Sequence, residues 1–297
     1  MEMKRPFFYM TIILTILFFC IVSCAPTEVV QPQREPARIA LALGGGAARG
    51  FAHIGVLKVL ESNHIPIHMI IGTSAGSFVG GLYAYGFNAF QIQKLSLEIQ
   101  RGDIADFTLP DNGFIKGDLL EDYVNRMVRN TSMDKMRTPF YAVATELPGG
   151  KETVFASGNT GKAIRASCSI PGVFQPVTIG DKMYVDGGVV SPVPVDAARR
   201  LGANVVIAVD ISSDLDTAKP SGTIETILQS INIMNSKISI GQLSKADVVI
   251  RPLVGYIGSA DFDRRNEAIM EGEKATLQVL PRIQEIVEQL RQQGRLR

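Results

Sequence analysis

Three consecutive glycines, Gly44 to Gly46, join a short apolar segment to a segment with helical periodicity. Residues 38–43 are predicted to form a buried strand, and residues 51–62 carry apolar side chains at helical spacing. A glycine-rich turn from a strand into a helix gathers free backbone amides at the positive end of the helix dipole. The turn is therefore expected to hold an anion, either a nucleotide phosphate or the transient oxyanion of an acyl-transfer reaction.

Short apolar runs and amphipathic stretches alternate through the chain after residue 38. Further strands are predicted at 66–71, 139–145 and 204–209, and a helix of small residues at 75–85. This alternation predicts an α/β fold with a mostly parallel central sheet flanked by helices, and ligand sites at the carboxyl ends of strands. Two apolar stripes near the C-terminus predict a helical extension, in which Pro281 is expected to begin a helix of its own.

The first 23 residues have the pattern of an export signal: two basic residues, an apolar stretch over 7–22 and a small residue at its end. The segment Ile21-Val22-Ser23-Cys24 resembles the lipobox of bacterial lipoproteins, which implies acylation of Cys24 and anchoring to a membrane by lipid. Because Ala25 is not an aspartate, the resemblance favours the outer membrane of a bacterium that has two. The alternative is an uncleaved N-terminal anchor, although the apolar stretch is shorter than the roughly 20 residues that a spanning helix needs.

Residues 24–38 are rich in Pro, Gln, Glu and Thr and are predicted to form a flexible linker. The whole chain has 30 basic and 29 acidic residues, a net charge of +1, so nothing in its composition indicates a nucleic-acid partner. Protein partners are not indicated. Cys168, the cysteine outside the N-terminal segment, is expected to be a small buried residue without a disulfide. His, Cys and carboxylate residues do not cluster at ligand spacing, so no metal or cofactor is expected.

A second glycine-flanked turn follows the predicted strand at 66–71, with the sequence Gly72-Thr73-Ser74-Ala75-Gly76. A Gly-x-Ser-x-Gly motif between a strand and a helix is typical of a nucleophile elbow, in which a serine sits on a sharp, crowded turn. Ser74 is therefore a candidate nucleophile. The alternative is that Ser74 simply caps the helix that follows it.

A serine hydroxyl needs a base to accept its proton. The three histidines, His53, His64 and His68, all precede Ser74 and are expected to be structural or on the surface. Two aspartates compete for the role: Asp186 lies in an Asp-Gly-Gly turn, and Asp210 follows the predicted strand at 204–209. Burial would raise the proton affinity of either one, and residue chemistry alone does not separate them.

Three motifs in order resemble the patatin-like phospholipases: Gly44-Gly45-Gly46-Ala47-Ala48-Arg49-Gly50, Gly72-Thr73-Ser74-Ala75-Gly76 and Asp186-Gly187-Gly188. A Ser-Ile-Pro segment at residues 169–171 is also similar to bacterial members, and the likeness covers residues 39–201. The resemblance implies a three-layer α/β/α fold and a Ser-Asp dyad without a histidine, with Ser74 as nucleophile and Asp186 as base. It also implies an oxyanion hole formed by Gly44, Gly45 and Gly46, and a phospholipid or lysophospholipid substrate. Residues 202–297 are expected to complete the same domain with the last strand or strands and the C-terminal helices.

Arg49 could bind a substrate phosphate or hold its own loop by pairing. The apolar segments 107–109 and 114–115 fit an apolar substrate or a place in the core. Two other functions compete with an acyl hydrolase. A dinucleotide enzyme is disfavoured because Arg49 stands where the third glycine of the fingerprint belongs, and a non-catalytic lipid-binding lipoprotein is disfavoured by the presence of both Ser74 and Asp186.

Overall fold

The computed structural model describes residues 35–109, 112–212, 220 and 222–296. The predicted signal segment, Cys24 and most of the predicted linker lie outside these residues. Within the described residues, eight strands form one mixed sheet. The strands are β1 (Ile39–Leu43), β2 (Met69–Thr73), β3 (Phe140–Leu147), β4 (Lys151–Phe155), β5 (Val177–Ile179), β6 (Lys182–Asp186), β7 (Val205–Val209) and β8 (Val248–Ile250).

The α-helices follow strands or connect them, and short 3₁₀ turns occur at several junctions. They are α1 (Ala52–Ser62), α2 (Ala75–Tyr85), α3 (Ala89–Glu98), α4 (Asp118–Met127), α5 (Thr160–Ser167), α6 (Val195–Arg200), α7 (Thr223–Leu243) and α8 (Arg265–Gln292). No helix in the described part of the chain is both long enough and apolar enough to span a bilayer.

Strand order in the sheet is β5-β6-β3-β2-β1-β7-β8, with β4 paired to β3 off this path. Five neighbouring strands run parallel to one another, namely β3, β2, β1, β7 and β8. Strands β4 and β6 run antiparallel to β3. Because β4 occupies one edge of β3 along residues 142–146, β2 and β6 must share the other edge. Their ends meet there, since Thr73 pairs with Val143 and Asp186 pairs with the next residue, Ala144.

Strand β1 lies in the middle of the sheet, and its alternating side chains contact two separate cores. Ile39, Leu41 and Leu43 join the larger core, which also receives apolar residues of α1, α2 and α8. Ala40 and Ala42 face the other side, where they pack with α6 and with Leu243 at the end of α7. The sheet is therefore covered by helices on both faces, and the predicted α/β/α fold is confirmed.

Helices α1 and α8 cross closely because each has a glycine at the contact. A Cβ on Gly55 would lie 1.9 Å from the carbonyl oxygen of Ile269, and a Cβ on Gly272 would lie 2.0 Å from that of Ala52. The prediction that Pro281 begins a helix of its own is wrong, since α8 continues through this residue. Buried residues on both sides of the proline pack into the same core and keep the two halves in line.

The linker predicted to extend to residue 38 ends earlier than expected. Ala37 is buried, and its amide donates a hydrogen bond to the carbonyl of Arg295 near the C-terminus. The side chain of Arg38 donates to the carbonyl of Leu201. The last residues before β1 are therefore part of the folded body.

Candidate active site

Ser74 occupies a strained turn between β2 and α2. Its backbone has φ 53° and ψ −124°, a conformation that non-glycine residues rarely adopt. The amide of Ser74 donates to Ser167 Oγ at 2.9 Å, and Ser167 Oγ donates in turn to the carbonyl of Val143 at 2.6 Å. Although Ser74 precedes the first residue of α2, its side chain makes no capping hydrogen bond. The geometry is that of a nucleophile elbow and does not support the capping alternative.

The glycines that flank Ser74 allow this turn to pack tightly. A Cβ on Gly72 would lie 2.4 Å from Ser77 Cα, and one on Gly76 would lie 2.2 Å from the carbonyl oxygen of Leu43. Since real Cβ atoms do not approach other atoms so closely, larger residues at either position would displace α2 from the strand ends. The motif thus fixes the helix against β1 and leaves the Ser74 side chain at the edge of the sheet.

Asp186 ends β6 beside Ser74, as the shared edge of β3 requires. The residue is buried, and its Oδ1 accepts a hydrogen bond from the amide of Gly188 at 2.7 Å. The other oxygen, Oδ2, is buried without a hydrogen bond of regular geometry among the described residues. Burial raises the pKa of Asp186 to about 6, while interactions with the Ser74 hydroxyl and the Gly188 amide act to lower that pKa. A carboxylate with one unsatisfied oxygen next to a serine is placed to accept a proton.

The glycine run lies directly against Ser74, since a Cβ on Gly45 would be 3.2 Å from Ser74 Cβ. However, the amide of Gly44 donates to the carbonyl of Val209 at 3.0 Å, and that of Gly45 donates to the carbonyl of Pro192 at 2.9 Å. The prediction that all three amides line an oxyanion hole is therefore wrong for these two. Within the described residues the amide of Gly46 has no backbone acceptor, and the run ends at Ala47 with a positive φ of 50°.

Arg49 is buried, and two of its nitrogens hold neighbouring segments. Nε donates to the carbonyl of Gly46 at 3.1 Å, and Nη2 donates to Oδ1 of Asn232 in α7 at 2.9 Å. Burial lowers the pKa of Arg49 to about 10, while the negative charge of Asp210 acts to raise it. These contacts correspond to the loop-holding role considered for this residue, and they also tie the glycine run to α7.

The three histidines have the structural or surface positions expected of them. His53 is buried in α1, and its Nε2 donates to the carbonyl of Gly44 at 2.8 Å, because that carbonyl can only accept. Burial lowers its pKa to about 4, so His53 is neutral at pH 7. His68 Nδ1 accepts from the amide of Ile39, and His64 is exposed.

Asp210 and Cys168 complete the set of candidate side chains. Asp210 accepts from the amide of Ser212 with one oxygen and pairs with Arg251 through the other, so its carboxylate is satisfied away from Ser74. Cys168 is partly buried, with Sγ 3.8 Å from Ser77 Oγ. Burial and the nearby charge of Asp186 raise the pKa of this thiol, which leaves it unreactive at neutral pH.

Ser74 and Asp186 open into a narrow pocket with a volume of about 40 Å³. Helix α7 forms one wall through Ile231, Asn232 and Asn235, a role that the apolar stripe in its sequence did not indicate. A neighbouring cavity of about 490 Å³ lies along the first half of α7 and shares Arg49 and Asn232 with the pocket. No group of three or more metal-ligating side chains occurs in the part of the chain that the structure describes.

The family profile described as "Patatin-like phospholipase" matches residues 41–199, more than half of the chain. The chain belongs to the patatin-like phospholipase family. The matched range includes the glycine run, the Ser74 turn and the Asp186 turn.

Several patatin-like relatives are similar over about 60% of the chain. A human patatin-like phospholipase domain-containing protein 6 is 33% identical over 187 residues, covering 60% of this chain and 14% of its own length. Lysophospholipase NTE1 of Debaryomyces hansenii is 33% identical over 181 residues, 59% of this chain and 12% of the relative. An uncharacterised NTE family protein of Mycobacterium bovis is 36% identical over 191 residues, 63% of this chain and 53% of the relative.

Among solved structures, VipD of Legionella pneumophila aligns with a TM-score of 0.47 and 12% identity, over 86% of this chain and 69% of that one. The chain spans about one seventh of the length of the human relative, about one eighth of the Debaryomyces hansenii one and about half of the mycobacterial one.

Proposed function

We propose that this protein is a serine acyl hydrolase that cleaves the acyl esters of phospholipids or lysophospholipids through a Ser74–Asp186 dyad. One observation carries the proposal: Asp186 is buried beside a strained serine with its Oδ2 unsatisfied and its pKa raised to about 6. The family membership and the relative named as a lysophospholipase support a lipid ester as the substrate class.

In the first half of the reaction Ser74 Oγ attacks the carbonyl carbon of the ester while Asp186 accepts the hydroxyl proton. The tetrahedral oxyanion is stabilised by the amide of Gly46 and by the amide of Ala75, which stands first in α2 at the positive end of that helix. Collapse breaks the bond to the alcohol oxygen, which takes the proton from Asp186. The alcohol departs as a lysophospholipid when the substrate is a phospholipid, and as a glycerophosphodiester when it is a lysophospholipid. In the second half, water attacks the acyl-enzyme and gives its proton to Asp186, and Ser74 Oγ leaves with that proton as the fatty acid is released.

The test compares wild type with Ser74→Ala and Asp186→Asn in labelling by a fluorophosphonate probe and in hydrolysis of a soluble short-chain ester. We expect Ser74→Ala to lose labelling and to lose turnover by at least a thousandfold, since the covalent step is removed. Cys168→Ala is a matched control, because this thiol lies near Asp186 but has no part in the proposed reaction. The variant should keep both the labelling and the turnover. Equal labelling of wild type and Ser74→Ala would rule out Ser74 as the nucleophile.

We also propose that the protein is exported, acylated at Cys24 and tethered by lipid to a membrane of a bacterial cell envelope, the outer membrane if the bacterium has two. The support is the lipobox-like segment and the polar linker that follows it. Mass spectrometry of the mature N-terminus tests this directly. An N-terminus at Met1, or an unmodified Cys24, would contradict it.

A further inference from the structure

The pocket around Ser74 is too small for the proposed substrate. Its volume of about 40 Å³ holds a water molecule or two, whereas pockets for drug-sized ligands measure about 300–1,000 Å³. Helix α7 and residues 170–171 form two of its walls, beside the glycine run, Gly188 and Ser259. A lipid that reaches Ser74 past either of these two walls first contacts the exposed surface beside it.

Two exposed apolar segments flank the loop that lines the pocket. Segments 106–109 and 112–116 pair with each other, and the amide of Phe114 donates to the carbonyl of Val173. Phe107 and Leu109 are 78% and 87% exposed, so the alternative that segment 107–109 belongs to the core is wrong. Ile115 is buried beneath them and anchors the pair.

Helix α7 borders the other side of the same loop. A Cβ on Gly172 would lie 3.4 Å from Ile227, which shows that the loop packs against the helix. While the inner face of α7 lines the pocket, Ile233, Met234 and Ile240 on its outer face are exposed by 41%, 54% and 65%. The apolar rim is defined here as these three residues together with Phe107, Leu109 and Phe114.

The two elements that carry the apolar rim have few exposed charges of their own. In the described parts of the two elements, the exposed charged residues are Lys116, Lys237 and Glu225, and Glu225 stands in the first turn of α7. The carboxylate of Asp106 is directed elsewhere, since it accepts the amides of Gly117 and Asp118 at the start of α4. Apolar side chains accompanied by isolated lysines fit the boundary between lipid headgroups and acyl chains.

We propose that the apolar rim is an interfacial docking surface that inserts into a lipid layer containing anionic lipids. The occupant is a lipid surface because the rim adjoins the walls of the pocket that contains Ser74. An α-helix is about 10 Å in diameter. Docking on the outer face of α7 brings lipid within roughly one helix diameter of Ser74. The inference rests on the proposed lipid hydrolase function and deepens it by naming how the substrate phase is recognised.

The chain contains no tryptophan, which permits a position-specific test. Phe107→Trp and Met234→Trp each introduce one fluorophore into the rim, and Leu277→Trp introduces one at an exposed site of α8, a helix that packs against α1. Each is made in full-length Ser74→Ala protein, so that lipid is not consumed. The probe is a vesicle of phosphatidylcholine and phosphatidylglycerol with brominated acyl chains.

We expect the emission of both rim tryptophans to shift to shorter wavelength and to fall at least twofold through bromine quenching, while Leu277→Trp stays unchanged. This comparison is independent of the N-terminal segment, which is the same in all three proteins. Unchanged emission from both rim positions, or an equal response from Leu277→Trp, would overturn the proposal. If one rim variant does not fold, as judged by circular dichroism, the other decides.

A second measurement separates this proposal from the catalytic one. The double variant Ile233→Ser/Met234→Ser should lose at least ten times more activity on phospholipid vesicles than on a soluble short-chain ester, and Leu277→Ser should show no such difference. Equal losses on both substrates would overturn the proposal that the rim docks on lipid, and the proposed dyad would be unaffected. Retention of ester hydrolysis by Ser74→Ala would instead overturn the proposed dyad, independently of the tryptophan fluorescence result.

Discussion

Asp186 and Asp210 are both buried aspartates at the ends of strands, with 6% and 3% of their surfaces exposed. Asp210 has a partner for each oxygen, the amide of Ser212 and the guanidinium of Arg251. Among the described residues, Asp186 has the Gly188 amide for one oxygen and no regular hydrogen bond for the other. Burial without full pairing keeps proton affinity high, whereas a paired carboxylate stabilises the local fold. The comparison favours Asp186 over Asp210 as the base of the proposed dyad.

The largest expected difference between them is in turnover. Asp186→Asn should lower kcat on a soluble ester by about 10²–10⁴-fold, since a general base is removed. Asp210→Asn should stay within about threefold of wild type, as its carboxylate faces Arg251. Steady-state kinetics on both purified variants measure this. A larger loss in Asp210→Asn than in Asp186→Asn would reverse the assignment.

Asp186→Asn should raise the stability of the protein although it lowers the activity. The shift from 3.8 to about 6 means that the folded state binds the proton more tightly than the unfolded state. The stabilisation linked to that proton is complete below about pH 3.8 and is lost as the pH rises through 6. Asp186→Asn removes the buried charge, so its free energy of unfolding at pH 8 should exceed that of wild type by up to about 3 kcal/mol, at 1.36 kcal/mol per unit. Urea denaturation at pH 8 and pH 4 tests this, and a gain at pH 4 equal to that at pH 8 would contradict it.

The next effect is the dependence of rate on pH. Asp186 must be ionised to accept a proton, and its pKa of about 6 predicts that kcat/KM on a soluble ester falls about tenfold between pH 7 and pH 5. Asp210→Asn should give the same midpoint as wild type. A midpoint near 4 in wild type would mean that burial does not raise the pKa of the base.

Local sequence patterns predicted the parts of this site that depend on local geometry. The glycines around Ser74 and after Asp186 mark crowded turns, and those turns are present. Their meeting could not be predicted from strand patterns, because it depends on β2 and β6 sharing one edge of β3 across long stretches of chain. The prediction for the amides of Gly44 and Gly45 is wrong for the same reason, since their acceptors, Val209 and Pro192 respectively, are distant in sequence.

A smaller effect should follow from crowding Asp186. A Cβ on Gly188 would lie 3.0 Å from Asp186 Oδ1 and 3.2 Å from the side chain of Asn235, so Gly188→Ala should displace the amide that holds the carboxylate. We expect kcat to fall by roughly three- to tenfold with the fold retained, since a misplaced base works less well. Gly241→Ala is a matched control, because no atom of the described part of the chain lies within 4 Å of its Cβ position. Equal kinetics in both variants would show that the amide of Gly188 does not position the base.

The smallest effect is expected at the partner of Asp210. Arg251 is 59% exposed, and exposed ion pairs contribute about 0–1 kcal/mol because solvent screens them. Arg251→Gln should therefore lower the free energy of unfolding by less than about 1 kcal/mol and leave kcat and its pH midpoint unchanged. Since the amide of Ser212 still binds one oxygen of Asp210, the turn after β7 should keep its shape. If Arg251→Gln loses more than threefold in turnover, Asp210 acts on the site through Arg49, the buried guanidinium whose pKa the charge of Asp210 acts to raise. The assignment of different roles to Asp186 and Asp210 would then fail.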